Sequence, residues 1–142
     1  MKEQFASNTV LSKKHSNAVM FQHRAEQFLK ERQSNIVIFD VASISIECYL
    51  IAICEFYKTE PRTHNYQALM EAVELISDIS FPPEISKQIR ALDKAYGICS
   101  IDNYQRKTDF NKSEISQILQ LCTSLSTLSE KYYSHSKTLL LH

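Results

Sequence analysis

The sequence predicts an all-α protein, an up-and-down four-helix bundle with one additional short helix. The 142 residues include one glycine and three prolines, whereas many-stranded barrels and sandwiches need a turn roughly every eight to twelve residues. Apolar residues recur at helical spacing along most of the chain, and no internal repeat or low-complexity linker divides it. We therefore expect residues 1–142 to form a single helical domain, with its core at about residues 15–135.

The first predicted helix is amphipathic. It begins at about Ser16, or as early as Phe5, and charged residues fall between its apolar positions. Asn35 then offers an N-cap for the next helix, because its side chain can accept a hydrogen bond from a first-turn N–H group. The apolar positions of the first helix are Ala18, Phe21, Ala25, Phe28 and Leu29.

The second predicted helix, residues 35–58, is apolar on nearly every side. The alternation in residues 41–46 would suit a strand, but a run of about twenty residues without glycine or proline far exceeds ordinary strand length. Asp40, Ser43 and Glu47 share one narrow face at i, i+3 and i+7. A helix so widely apolar must be surrounded, either at the centre of a bundle or partly by another subunit. Its polar interruptions make it too polar for an ordinary membrane span, and we expect no membrane association.

A proline separates the second and third predicted helices. Pro61 interrupts the pattern because proline cannot continue a helix interior. The third helix then begins with Thr63 or Asn65 as its N-cap and ends at residues 80–83. Its apolar stripe is Tyr66, Leu69, Met70, Val73 and Ile76.

A short amphipathic helix, residues 85–96, comes fourth. Pro83 is well placed to open it, because the N–H group that proline lacks has no partner in the first helical turn. Gly97 lies where a left-handed C-terminal cap would end this helix. The apolar positions are Ile85, Ile89, Leu92 and Tyr96.

A loop and a long last helix complete the predicted fold. Residues 98–110 show no helical or strand period and are interpreted as the loop. Asn111 with Glu114 three residues later is typical of a capping box, so we expect the last helix to begin there. It turns its apolar residues inward and a face rich in Ser, Thr and Gln outward, and it frays after His135.

Composition excludes several classes of function. Phosphate-cradling loops and dinucleotide fingerprints need several glycines, so Walker-type and Rossmann-type sites are excluded by the single glycine. The 16 basic and 16 acidic side chains are balanced in each half of the chain, which disfavours the coating of nucleic acid by a broad basic surface. This composition still allows a small, local basic site.

The four cysteines predict an intracellular chain with reduced thiols. Cys48, Cys54, Cys99 and Cys122 have no CxxC spacing, so we favour buried thiols over a zinc site or a disulfide. The first thirty residues lack the continuous apolar core of a signal peptide. We therefore expect a cytoplasmic location.

Three short strings, in order, resemble the HEPN family (higher eukaryotes and prokaryotes nucleotide-binding). The string HRAEQFL at 23–29 is similar to the family's first-helix pattern, and SIECYLIA at 45–52 is similar to its central helix, where a glutamate precedes an apolar run. PRTHNY at 61–66 is similar to the Thr-His-Asp-Leu opening of its third helix. The resemblance covers about residues 15–135 and is carried by the joint order and spacing of the strings.

The resemblance implies a non-catalytic helical module that binds a nucleotide or nucleic acid. It also implies pairing, as a homodimer or with a minimal nucleotidyltransferase partner in a system of the toxin–antitoxin type, and it implies no cofactor. The nuclease branch of the family carries an arginine followed four to six residues later by histidine. Arg106 is followed by KTDFNK, without histidine, which argues against RNA cleavage by that motif.

Two alternatives to this module stay open. One is a HEPN-type, metal-independent ribonuclease with an atypical site, in which Arg62 or Arg106 lies opposite His64 across a dimer. The other is a structural bundle whose clefts bind nothing specific.

Six residues are candidate ligand-binding residues. His64, near Arg62 at the mouth of a helix, could contact a base or a phosphate with help from the helix dipole, or it could simply fix that corner of the fold. Glu47 is a cleft-lining acid or the partner of a neighbouring helix or of Arg106. The other three candidates are Tyr104, Arg106 and Lys107.

The loop residues Tyr104, Arg106 and Lys107 form the one aromatic and basic cluster in an irregular segment. Stacking and phosphate contacts on a nucleotide need this combination. Asp102 and Asp109 flank the cluster and cancel its charge, so an ordinary solvated loop is the alternative interpretation. We expect no metal site, because His15 and His23 lie eight residues apart without a visible third ligand.

Overall fold

The computed structural model describes residues 2–96 and 107–140, with the side chains of 13–96 and 107–139. The described backbone forms five helices and no strand, which confirms the all-α prediction. The predicted C-cap Gly97 and most of the predicted loop lie outside the described residues. The helices are α1 (Lys2–Lys30), α2 (Asn35–Phe56), α3 (Tyr66–Glu74), α4 (Pro83–Ala95) and α5 (Lys112–Leu140).

The apolar helix α2 forms the centre of the fold, packed against α1, α3 and α5. Ala18 and Ala25 on α1 are fully buried, and their small side chains allow a close approach of the two helices. The Ser45 hydroxyl donates a hydrogen bond to the Ala18 carbonyl over 2.7 Å, and the Tyr49 hydroxyl donates one to the Gln22 side chain. The prediction that α2 is surrounded is therefore confirmed along most of its length.

By length and composition alone, α2 is long and apolar enough to cross a membrane. The polar interruptions alone therefore do not exclude a span, and the expectation of no membrane association stays a prediction. About two thirds of its most apolar stretch is buried inside the fold. Since core helices pass the same test, the apolarity of α2 matches its packing against three neighbouring helices.

The starts of α3, α4 and α5 follow the sequence, whereas those of α1 and α2 do not. Helix α1 begins at Lys2, before the predicted Ser16 or Phe5. The Asn65 side chain caps α3 by accepting a hydrogen bond from the Ala68 N–H group over 2.8 Å, and Pro83 opens α4. The predicted N-cap Asn35 is wrong, because Ser34 occupies that position without a side-chain hydrogen bond. The Asn35 amide instead donates to the Phe110 carbonyl over 2.7 Å, tying α2 to the segment before α5.

Helix α3 ends at Glu74, earlier than the predicted 80–83. Residues 75–82 follow an irregular path that leaves Leu75 80% exposed and brings Ile76 back into the core. The Tyr132 hydroxyl on α5 donates to the Ser80 carbonyl over 3.1 Å. The segment after α3 therefore packs towards α5, and α3 is shorter than predicted.

Helices α3 and α4 form an antiparallel pair joined at both ends. The Asp93 carboxylate, 1% exposed, accepts hydrogen bonds from the backbone N–H groups of Tyr66 and Gln67 over 2.9 and 2.8 Å. At the other end the Arg90 guanidinium donates to both carboxylate oxygens of Glu74, and this bonding lowers the pKa of Glu74. α4 packs on α3 and stands away from the described part of α5.

The described cysteines Cys48, Cys54 and Cys122 are free and buried, as predicted. Desolvation by burial raises the pKa of Cys54 to about 11 and that of Cys122 to about 12. The fourth cysteine, Cys99, lies outside the described residues. The three buried thiols are therefore parts of the core.

Candidate functional site

A groove runs between α4 and α5 where the two helices stand apart. Two adjacent cavities of about 220 and 380 Å³ lie along it, and both are lined by Gln88, Gln117 and Leu121. Ala91 and Ala95 of α4 also line the groove, and their short side chains leave its space open. Small-molecule sites have volumes of roughly 300–1,000 Å³, so the groove is large enough for such a ligand.

The floor of the groove is apolar and partly aromatic. Leu92 and Ile118, both buried, line it from α4 and α5. The rings of Phe39 and Phe110, which also line it, stack with centroids 3.9 Å apart and planes at 13°. The hydrogen bond from the Asn35 side chain to the Phe110 carbonyl fixes the backbone of Phe110 beside the start of α2, which carries Phe39. The floor therefore offers apolar contact to a ligand in the groove.

Lys107 supplies the positive charge of the groove. Its backbone N–H group donates to the Ala95 carbonyl over 2.7 Å, which fixes the residue beside the end of α4. Its Nζ atom lies 3.1 Å from Glu114 Oε2 and 5.6 Å from the centroid of the Phe110 ring. A further cavity of about 240 Å³, lined also by Asp109, adjoins it. Lys107 therefore places an ammonium group next to both the aromatic floor and open space.

Glu114 links the groove to the start of α5. Its carboxylate accepts from the Asn111 N–H group over 3.0 Å, and its own N–H group donates to the Asn111 side chain over 2.8 Å, which confirms the predicted capping box. The bond from Asn111 and then the bond from Lys107 lower the pKa of Glu114. Because the Lys107–Glu114 pair is partly exposed, it contributes little stability and can open to an anionic ligand.

The groove has the chemistry of a binding site. Among the described residues that line it, Lys107 is the one cation, and Ser124 is the one hydroxyl, without a histidine beside it. The Gln88 and Gln117 amides can each donate and accept hydrogen bonds. The apolar floor can contact an apolar group, the two amides can form hydrogen bonds with polar atoms at its edge, and Lys107 can neutralise one negative charge.

The chain matches no protein-family model, no curated protein and no solved structure. Of the six ligand-binding residues predicted from the sequence, Lys107 lines this groove. Tyr104 and Arg106, predicted to act beside it, lie outside the described residues.

Arg62 and His64 lie on the short connection before α3. The Arg62 guanidinium donates to Glu71 Oε2 over 3.1 Å, and its side chain is 76% exposed. A hydrogen bond from Gln67, and then this one from Arg62, lower the pKa of Glu71. His64 is exposed. Neither Arg62 nor His64 is among the described residues that line the groove beside Lys107.

Glu47 is half-buried on α2, on the same polar stripe as Asp40 and Ser43. Asp40 accepts a hydrogen bond from the Tyr96 hydroxyl over 3.0 Å, and the Ser43 carbonyl accepts one from the Tyr66 hydroxyl over 2.8 Å. Burial raises the pKa of Tyr66, and the charges of Tyr96 and Glu47 raise it further. This polar stripe of α2 therefore lies next to the start of α3 and the end of α4.

The glutamines of the groove were not among the residues predicted from the sequence. Gln117 belongs to the α5 face predicted to point outward, and Gln88 lies between apolar positions of α4. The available signal was the pair Ala91 and Ala95, since small side chains on one face of α4 leave room beside a neighbouring helix. Helical periodicity alone cannot show that the neighbour stands apart.

The histidines His15 and His23 have separate partners. His15 Nε2 lies 3.1 Å from the Ser129 hydroxyl on α5, whereas His23 Nδ1 lies 3.3 Å from Glu26 on its own helix. Among the described residues, no group of three or more His, Cys, Asp or Glu side chains could hold a metal ion.

Proposed function

We propose that this chain is a non-catalytic helical binding module that holds a nucleotide, or the end of a nucleic acid, in the α4–α5 groove. The observation that carries the proposal is the placement of the Lys107 ammonium group beside an aromatic, apolar floor. A nucleotide presents a flat base and an anionic phosphate next to each other. The groove offers a matching surface to each part.

In the proposed complex the base lies on the floor formed by Phe110 and Leu92. The amides of Gln88 and Gln117 bond to the edge of the base, and Lys107 turns from Glu114 to the phosphate. Because Glu114 and Asp109 stay close to that phosphate, the site accepts a single phosphate group and disfavours a long polyanion. This agrees with the absence of excess basic charge in the chain.

We further propose that the helices form an up-and-down four-helix bundle with one additional short helix, as in the HEPN family. The bonds of His15 to Ser129 and of Gln22 to Thr123 make α1 and α5 antiparallel. The shortest described helix is α3, with nine residues, rather than the predicted short helix at 85–96, which corresponds to α4 with 13 residues. Pairing as a homodimer, or with a nucleotidyltransferase in a toxin–antitoxin type of system, belongs to the same proposal, as does the cytoplasmic location.

The test is a titration of the protein with adenosine and uridine monophosphates and with a six-nucleotide RNA, followed by calorimetry. We expect saturable binding that Lys107→Gln weakens about tenfold, since a hydrogen bond to a charged group contributes roughly 1.5–3 kcal/mol. The control Lys112→Gln removes an exposed charge at the start of α5, outside the groove, and leaves the affinity unchanged.

A second pair of variants tests the place of binding. Gln117→Trp fills the groove and abolishes binding, whereas Thr127→Trp adds the same side chain at an exposed position of the same helix and has no effect. Absence of nucleotide binding, or equal affinity in both members of each pair, overturns the proposal. Cleavage of the RNA that His64→Ala abolishes would instead establish the ribonuclease alternative.

A further inference from the structure

A second cavity lies between α1 and α5, close to the end of α2. Its volume is about 360 Å³, and it shares no lining residue with the α4–α5 groove. The lining residues are His15, Phe56, Glu130, Tyr133 and Ser134. They combine three aromatic rings with one carboxylate, a composition unlike that of the groove.

The rings of this cavity present tilted faces to one another. The centroids of Phe56 and Tyr133 are 4.9 Å apart with planes at 50°, and those of His15 and Phe56 are 6.5 Å apart with planes at 45°. Phenyl and phenol rings are negative on their faces and attract cations there. Lys137 already uses this property, because its Nζ atom lies 4.7 Å from the centroid of the Tyr133 ring.

The polar groups of the cavity also favour a cation. Ser129, fully buried, donates its own hydroxyl proton to the Ser126 carbonyl over 2.9 Å, so His15 Nε2 donates to Ser129 and Nδ1 is left as an acceptor. Burial lowers the pKa of His15, which keeps the ring neutral at neutral pH. The Glu130 carboxylate is then the one charged group among the described lining residues.

We propose that this cavity binds a small organic ammonium cation, with its charged head against Phe56 and Tyr133 and balanced by Glu130. Anions are disfavoured by the Glu130 carboxylate. A metal ion would find one carboxylate and one imidazole nitrogen among the described lining residues, fewer than the three or four protein ligands of a typical zinc site. This site is independent of the proposed nucleotide site.

The experiment compares choline with 3,3-dimethyl-1-butanol, which has the same shape but carries a carbon in place of the charged nitrogen. Binding is measured from the chemical shifts of the labelled protein. We expect choline to bind at least tenfold more tightly than the neutral alcohol, since cation–π contacts in partly desolvated sites shift affinity by roughly two- to thirtyfold per ring.

Variants assign the binding to this cavity. Tyr133→Leu weakens choline binding about tenfold by these magnitudes, whereas Tyr133→Phe retains it because the ring face is kept. Glu130→Gln weakens it by about two- to fivefold, because Glu130 is exposed and exposed charge pairs are weak. The control Glu60→Gln removes an exposed carboxylate elsewhere and changes nothing. Thermal melts confirm that each variant folds. No choline binding, equal binding of the two probes, or wild-type affinity in Glu130→Gln overturns the proposal.

Discussion

The buried carboxylate of Asp93 offers the sharpest test of how α3 and α4 are held together. Both of its oxygens accept backbone N–H groups at the start of α3, from Tyr66 and Gln67. Asp93→Asn keeps the shape of the side chain, but its amide presents one oxygen and one NH₂ group. In either orientation one N–H group of α3 then faces a donor and loses its partner.

The expected cost follows from these two bonds. A hydrogen bond to a charged acceptor contributes about 1.5–3 kcal/mol, and the bond that remains in Asp93→Asn is reduced to a neutral one. We expect the free energy of unfolding to fall by about 3 kcal/mol. With a urea m-value of about 2 kcal/mol/M, the unfolding midpoint would fall by roughly 1.5 M.

The assay is urea unfolding followed by circular dichroism, with Asp78→Asn as the matched control. Asp78 is exposed, and exposed substitutions usually change stability by less than about 0.5 kcal/mol. An Asp93→Asn midpoint equal to that of the control would refute the tertiary capping of α3 by α4.

Three further predictions concern other parts of the fold. Burial lowers the pKa of His15 from its ordinary 6.5, so on acidification the unfolded chain takes up a proton at this residue before the folded chain does. The neutral, buried His15 therefore contributes its full stability above about pH 6.5, and this stability is lost as the pH falls below that value. Thermal melts at pH 7.5 and 5.5 should therefore differ less for His15→Gln than for the wild type, and an unchanged difference contradicts this. In a Cys99→Ser variant the three buried cysteines should react with a disulfide reagent at pH 8 only after unfolding, because burial raises their pKa values; rapid reaction of the folded protein would show that they are accessible. Asn111→Ala removes the capping box of α5 and should cost about 1 kcal/mol, which urea unfolding measures; a wild-type midpoint would show that this cap does not stabilise the helix.

Several features of the fold could be predicted because they depend on neighbouring residues in the chain. The capping box of Asn111 and Glu114, the cap at Asn65 and the helix start at Pro83 each involve groups within one turn. The burial of α2 was also predictable, since a helix apolar on nearly every side must be covered.

The candidate site was predictable only in part. Lys107 was identified because a basic residue beside an aromatic one in an irregular segment is visible in the sequence. The pairing of Phe39 with Phe110 was not, because the two rings come from segments about seventy residues apart and meet only in the fold. The same holds for Asn35, whose side chain bonds to Phe110 rather than to its own helix.

The helical class, most helix starts and the identity of the central helix could be predicted from the sequence, because these follow from local bonding and from the need to bury apolar side chains. The end of α3 at Glu74, the separation of α4 from α5 and the contact of Lys107 with Phe110 emerge in the folded chain alone. Grooves and tertiary bonds depend on the distance between helices. That distance is set by how side chains from remote segments pack, and no local pattern encodes it.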